Sequence, residues 1–310
     1  MSRAPRSLLR VVGLAATILG GAACAVTGDA GGDADSAESN DALIGGRAAS
    51  AGQFPSTVTL KGECTATKVA PKRLLTAAHC VLDPATVSLR YPAGSRISVA
   101  HDPGSGYVDV EVAAVHVHPA WMKACEDAYC AASSVTARLD APDVAVIDLA
   151  TDLPDVPAAS IDAAPLAVGE LVTVLGFGCT DGVLVPDSRD AITLKYAETR
   201  LVPSERAVHP GSPVLAADVA QVAGIYSLTS GPGRSPTKAH AGLCPGDSGA
   251  ALYKKRAGQL VVVGVASNYT LGPETGDEVG LPITNWHTRL DASSKHGVAR
   301  WLSSLGVPTT

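Results

Sequence analysis

Three short stretches carry residue types that could do nucleophilic chemistry together. The first is Cys244-Pro245-Gly246-Asp247-Ser248-Gly249-Ala250, a serine between glycines with an aspartate before it. Gly246 has no side chain, so its backbone N–H can approach a developing oxyanion closely, and the N–H of Ser248 would be the second donor. Gly249 leaves room for a substrate carbonyl. A serine hydroxyl is a poor nucleophile unaided and needs a general base, which in turn needs an orienting acid. Alone, the stretch has an equally ordinary reading as an Asp-Ser turn between glycines.

A base is offered by His79 in Leu74-Leu-Thr-Ala-Ala-His-Cys80. Small Ala77 and Ala78 permit close approach by another loop, and Cys80 can lock the backbone beside the imidazole. Cys64 is its natural partner, since 15 residues intervene; a loop of that size is worth roughly 3 kcal/mol in the chain-entropy view. An acid is offered by Asp143, which opens the apolar run Asp143-Val-Ala-Val-Ile-Asp-Leu149. Its carboxylate would be buried and would need donors. Asp148 alternates differently and is read as solvent-facing.

The elements that must position these residues are short. Ser56–Leu60, Val108–Val115, Leu171–Leu175 and Leu260–Ala266 are β-branched runs bounded by turn residues, which predicts the strands of a sandwich or barrel. One short amphipathic helix is expected, over Val298–Leu305. Of the 310 residues, 46% are apolar and 17% charged, a globular balance. The net charge is −6 and the body of the chain carries no basic run, which argues against a nucleic-acid partner.

Residues 1–24 read as an export signal: Arg3, Arg6 and Arg10 precede the apolar stretch Val11–Ala23, too short to span a bilayer comfortably. Two processing routes fit. Leu19-Gly-Gly-Ala-Ala23 before Cys24 is similar to a bacterial lipobox, with Gly21 where Leu is favoured, and would leave a lipid anchor at Cys24. Alternatively Ala23-Cys24-Ala25 is an A-x-A site and the cysteine is discarded. Either route expects a secreted or cell-envelope protein. Residues 25–42 hold five carboxylates and no Lys or Arg, a flexible linker or propeptide. The leader's three arginines and five carboxylates leave a net −4 on residues 43–310. Without Cys24, six of the seven cysteines remain, enough for three disulfides in an oxidising compartment. Their spacings show no zinc pattern, and neither a metal nor a cofactor is expected.

Over residues 43–305 the chain resembles the trypsin/chymotrypsin-type serine peptidases. Thr76-Ala-Ala-His-Cys80 and Cys244-Pro-Gly-Asp-Ser-Gly249 match that family's histidine and serine boxes. Leu43-Ile-Gly-Gly46 resembles its mature N-terminus, and Gln53-Phe-Pro55 with Val58-Thr-Leu60 its first strand. His118-Pro119 resembles the pair preceding its aspartate, and Gly176-Phe-Gly178 a stretch early in its second barrel. The order His79, Asp143, Ser248 is also the family's.

The resemblance implies an all-β fold of two antiparallel six-stranded barrels with a short C-terminal helix, as one peptidase domain over 43–310. It implies an exported serine endopeptidase acting on protein or peptide substrates. His79, Asp143 and Ser248 would be catalytic, Gly246 and Ser248 would form the oxyanion hole, and Ser267 would hydrogen-bond the aspartate. Leu43, freed by cleavage after Ala42, would pair its ammonium with Asp247, although Ala42 stands where the family usually has Arg or Lys; an activating protease of another preference would be a partner. Gly242 falls at the pocket floor with Leu243 beside it, and Ser267-Asn268-Tyr269 replaces the family's Ser-Trp-Gly. A pocket of Gly242, Leu243, Ser267 and Tyr269 implies small apolar or aromatic side chains before the cut, not basic ones. Cys179–Cys244 and Cys125–Cys130 complete the implied disulfides, the latter in an insertion with Ser133 and Ser134 that reads as a surface loop. Ala250 and Ala251 depart from the family's Gly and Pro. The alternatives are a non-catalytic binding protein on the same fold, or an esterase.

Overall fold

In the computed structural model the described residues are 43–101, 106–128, 139–178, 193–210, 212–231, 241–271 and 282–310. The leader with Cys24, Cys130, Ser133, Ser134 and Cys179 lie outside them.

The β-branched runs form strands that close on themselves twice. In the first half these are β2 (Thr57–Leu60), β3 (Cys64–Ala70), β4 (Arg73–Thr76), β5 (Arg96–Ala100), β6 (Val108–Val117) and β7 (Ala145–Leu149). They pair in the closed antiparallel order β2-β3-β4-β7-β6-β5. The second half supplies β8 (Leu171–Gly176), β9 (Lys195–Val202), β10 (Tyr226–Ser230), β11 (Ala251–Arg256), β12 (Gln259–Leu271) and β13 (Pro282–Arg289). These run β9-β10-β13-β12-β11-β8, and pairing of β8 with β9 closes the ring. Closure removes the sheet edges that six short strands would otherwise expose. The short β1 (Arg47–Ala48) adds to β9 through Arg47 opposite Tyr196. The two six-stranded barrels implied by the sequence are therefore present.

Alternation decides which faces point inward. In β9 the buried positions are Lys195, Ala197, Thr199 and Leu201, every second residue as the strand period requires. By contrast β2 and β3 are buried along their whole length, because their outer faces meet the second barrel. There Phe54 packs between Tyr196 and Tyr253, at ring-centroid distances of 5.0 and 5.9 Å. The C-terminal helix α4 (Val298–Ser304) returns to the first barrel, where Trp301 meets His118 edge-on at 5.0 Å.

Among the described residues, besides the single turn α1 (Ala78–Val81), the helices α2 (Pro119–Ala128) and α3 (Val219–Ile225) were not expected from sequence. Pro119 opens α2, where its missing N–H costs nothing, and His118 Nδ1 accepts the Ala120 N–H at 3.2 Å. Trp121 and Cys125, four residues apart, are its buried positions among the described side chains. Segments of seven to ten residues fall below the window in which helical periodicity is decisive. The expected passive loop thus begins as a helix, with Cys125 buried on it. Among the described residues no helix is long and apolar enough to cross a membrane.

Candidate active site

Strand pairing brings the candidate base and acid together. Thr76 at the end of β4 is opposite Ala145 at the start of β7. His79 lies three residues beyond the first and Asp143 two before the second, so both project from the same rim of the first barrel. His79 Nδ1 and Asp143 Oδ2 are 2.6 Å apart, and the His79 backbone N–H donates to Asp143 Oδ1 at 3.0 Å. One carboxylate thereby fixes both the ring and the main chain of the histidine. Asp143 is fully buried, while His79 keeps partial exposure.

The second barrel completes the surroundings of Asp143. Between Ala266, opposite His287, and Asn268, opposite Trp286, the β12–β13 register slips, leaving Ser267 as the extra residue of a bulge. A bulge re-aims a side chain, and here the Ser267 hydroxyl donates to Asp143 Oδ2 at 2.7 Å. Thr288 on β13 donates to the Asp143 carbonyl at 3.0 Å. The neighbouring Val144 carbonyl accepts the His118 N–H at 3.1 Å, which gives the His118-Pro119 motif a positioning task. Burial pushes the His118 imidazole down to about 4, with the nearby His296 adding to the effect, so this histidine is neutral at physiological pH.

The serine loop is suspended between the barrels. The Ser248 carbonyl accepts the Thr65 N–H of β3 at 2.8 Å, and the Gly249 N–H donates to Ala266 of β12 at 2.8 Å. Thr65 Oγ1 donates to the Gly246 carbonyl at 2.8 Å, and Thr76 Oγ1 donates to the Thr65 carbonyl at 2.8 Å. Gly249 has φ +85°, and a Cβ there would lie 2.1 Å from Thr76 Oγ1 and 2.2 Å from the Thr65 carbonyl. That space is taken by the Thr76 hydroxyl and first-barrel backbone, which corrects the expectation that it serves a substrate carbonyl. The N–H groups of Gly246 and Ser248 donate to no protein group among the described residues. Ser248 and His79 are neighbours through Cys80: its sulfur lies 3.6 Å from the Ser248 carbonyl oxygen and 4.0 Å from His79 Nε2. The Ser248 hydroxyl itself makes no hydrogen bond to His79 among the described residues, a looseness common before substrate binds.

Asp247 points the opposite way, into the protein. Its carboxylate is fully buried and accepts N–H groups from Gly178 at 2.8 Å and Cys244 at 2.9 Å. A Cβ on Gly176 or Gly178 would come within 2.0 or 2.6 Å of Asp247 Oδ1. The Gly176-Phe-Gly178 pattern is thus the space this carboxylate occupies. Desolvation pushes Asp247 up to about 7, against the pull of its two backbone donors and the Lys195 charge. Lys195, buried and inward-facing, is the β9 partner of Gly176, so its side chain stands on that same crowded face. Leu43 is fully buried, and Ile44 exchanges two backbone bonds with Gly242, at 3.0 and 2.9 Å. The start of the implied mature chain therefore already lies against the 242–247 segment. Residue 42 is outside the described residues.

Of the implied pocket residues, Gly242 and Leu243 lie together in that segment, and Tyr269, half-buried, stands on β12 opposite Asn285. The Cys64–Cys80 disulfide is present, with a sequence separation of 16. Cys125 and Cys244 are each disulfide-bonded, while Cys130 and Cys179 lie outside the described residues. Asp148, read as solvent-facing, is the one residue of β7 that is not buried, and there its carboxylate meets Arg73 at 3.0 Å and His116 at 3.1 Å. The Arg73 strand lies directly opposite, and its guanidinium balances the charge.

Sequence reasoning missed Thr65, Thr76 and the buried Asn285, whose amide accepts the Leu243 N–H at 2.9 Å and donates to the Ala241 carbonyl at 2.7 Å. The first two are ordinary strand residues by composition; the only signal for Thr76 is its place immediately before the Ala-Ala-His run. Ala250 and Ala251 are buried, with Ala251 paired to Val265 of β12, so small residues suit that position and the departure from Gly-Pro leaves the serine loop intact.

A comparison with curated proteins finds no match. A family model described as Trypsin matches residues 43–286, from the buried Leu43 through both barrels to β13. Two closed barrels, a histidine and aspartate bonded at one rim and a serine loop slung between the halves agree with that match: the chain belongs to the trypsin family of serine proteases.

Proposed function

We propose that the chain is an exported serine endopeptidase that cleaves through an acyl-enzyme. Ser248 attacks the scissile carbonyl while His79 Nε2 takes the proton and returns it to the leaving amine. Asp143 holds the imidazole with Nδ1 protonated and stabilises the imidazolium, and the N–H groups of Gly246 and Ser248 receive the oxyanion. The observation that carries this reading is the carboxylate of Asp143, bound at once to the His79 ring, the His79 main chain and the Ser267 hydroxyl. Such triple anchoring is unnecessary for a histidine that merely packs.

None of the four residues assigned to the side-chain pocket, Gly242, Leu243, Ser267 and Tyr269, carries a carboxylate. A small apolar or aromatic side chain before the cut suits it better than Lys or Arg. Cleavage after Ala42, by a protease that does not require a basic residue, would free the Leu43 ammonium to pair with the Asp247 carboxylate. The arginines and apolar stretch of residues 1–24, read as an export signal, are the support for export, with or without a lipid at Cys24. Cys125–Cys130 and Cys179–Cys244 are the proposed remaining disulfides.

Labelling by a fluorophosphonate probe tests the chemistry: processed protein should label and Ser248→Ala should not. Failure of the processed protein to label would favour a binding module on the same fold. Faster turnover of Arg-ended than of Ala-, Val- or Phe-ended peptides would overturn the pocket assignment. Mass spectrometry of the mature N-terminus distinguishes a start at Leu43 from a lipidated Cys24.

A further inference from the structure

Asp143 stands in the stretch Asp140-Ala-Pro-Asp-Val144, which leads into β7. Every carbonyl of that stretch accepts a hydrogen bond. The Val144 carbonyl takes the His118 N–H, the Asp143 carbonyl the Thr288 hydroxyl, and the Pro142 carbonyl the Val144 N–H at 3.1 Å. The Ala141 carbonyl, two residues before the acid, accepts the hydroxyl of Tyr226 at 2.9 Å. The His296 imidazole, pulled down by burial and by the Lys295 charge, is partly restored by a hydrogen bond with the Asp140 backbone. A bond that favours the protonated ring is one to an acceptor, so His296 meets the Asp140 carbonyl. Tyr226, Thr288 and His296 all belong to the second half of the chain.

Tyr226 follows α3 directly and is buried, and its ring meets Trp286 edge-on at 5.3 Å. Around it Val222 and Ile225 of α3, Leu228 of β10 and Trp286 of β13 form an apolar cluster apart from the main core. Leu139 is what the first half of the chain contributes to that cluster among the described residues. Gln221 of α3 donates to the Asp140 carboxylate. Residues 139–141 are thus seated on α3 and Tyr226 at three successive positions, by an apolar side chain, a carboxylate and a carbonyl. A tyrosine hydroxyl among hydrocarbon needs a partner. The Ala141 carbonyl has little freedom to leave it, since Pro142 fixes its own φ and keeps Ala141 out of the α region. Any displacement at Ala141 is passed through that rigid proline to Asp143.

We propose that Tyr226 is a positioning residue for the reaction: its hydroxyl, acting through the Ala141 carbonyl and Pro142, sets where the Asp143 carboxylate stands relative to His79 and Ser267. The inference rests on the reading of Asp143 as the acid of a Ser-His-Asp hydrolase, and it gives the junction of α3 and β10 a part in the chemistry.

The test is a mutant cycle on processed protein, read with a peptide substrate. Tyr226→Phe keeps the ring and its apolar surroundings and removes only the donor. It should lower kcat by about 5- to 10-fold, the worth of one hydrogen bond, and leave KM within about two-fold of the wild type. In an Asp143→Ala background, where no carboxylate remains to be placed, the same substitution should cost less than about two-fold. A loss of equal size in both backgrounds would overturn the proposal, because Tyr226 would then only brace the fold. An unchanged kcat in the single variant would overturn it as well. Leu139→Ala gives a second arm by loosening the same seat from its apolar side: its loss of kcat should also vanish beside Asp143→Ala, and persistence there counts against the proposal even if Tyr226→Phe does not fold. A wild type that takes no fluorophosphonate probe would instead remove the hydrolase reading, whereas additive losses in an enzyme that labels would leave that reading standing.

Discussion

Ser267, the extra residue of the bulge in β12, donates its hydroxyl to Asp143 Oδ2 across the junction of the two barrels at 2.7 Å. The second barrel thereby helps to hold the acid of the first. A hydrogen bond to a charged group is worth about 1.5–3 kcal/mol. Ser267→Ala should accordingly lower kcat/KM by about 10- to 100-fold and leave KM for small substrates nearly unchanged. Asp143→Asn, which also forces the wrong tautomer on His79, should cost about 10⁴ in kcat. Steady-state kinetics on titrated enzyme would check both, and equal losses in the two variants would contradict the separate roles given to them.

Gly249 sets a steric limit on the serine loop. A methyl group there meets the Thr65 carbonyl and Thr76 Oγ1 at far below contact distance, at a φ that side chains avoid. Gly249→Ala should destabilise the protein by about 3 kcal/mol or more and move the serine away from His79. Denaturant unfolding combined with probe labelling would show it; a variant that unfolds and labels like the wild type would contradict the packing described.

The charge state of Asp247 links processing to stability. In the uncut chain its folded value, about 7, lies above the ordinary 3.8, so the folded protein binds the proton more tightly than the unfolded one. The stabilisation linked to that proton is complete below the ordinary value and is lost as pH rises through about 7. An ammonium freed at Leu43 would favour the carboxylate instead and remove this penalty. The advantage of processed over uncut protein in thermal denaturation should therefore widen between pH 5 and 8. A difference that stays constant over that range would argue against the Leu43–Asp247 pair.

The Cys64–Cys80 bridge closes a loop that holds β3 and β4 and ends beside His79. Replacing both cysteines by Ala should lower stability by about 3 kcal/mol on the loop-entropy scale. Because Asp143 binds the His79 main chain independently, part of the activity should survive at low temperature. Melting curves and labelling rates of the double variant measure the two effects separately.

Much of this was legible in the residues themselves. His79, Asp143 and Ser248 stand in local patterns dense enough to identify, and the four β-branched runs singled out each fall on a strand. Less was visible wherever the meaning of a residue comes from its partner across the fold. Thr65 and Thr76 are indistinguishable from other strand threonines until the serine loop is laid over them. Asn285 reads as a polar residue in a strand until Ala241 and Leu243 arrive on either side of its amide. Asp148 alternates like a solvent-facing residue, but Arg73 and His116 cover it from neighbouring strands. The helices α2 and α3 are too short for their periodicity to outweigh the surrounding turn residues. Lys195 inside a barrel is unreadable without the closure of β8 onto β9.

The suspension of Ser248 between Thr65 on one side and the Gly249–Ala266 contact on the other means that the nucleophile belongs to neither half of the molecule. Residues 43–160 contain the base and the acid, and the remainder contains the serine, yet neither portion alone supplies the bonds that shape the serine loop. Slippage at the seam should therefore silence the chemistry before either barrel melts, making probe labelling a more sensitive gauge of how the halves are docked than any measure of strand content.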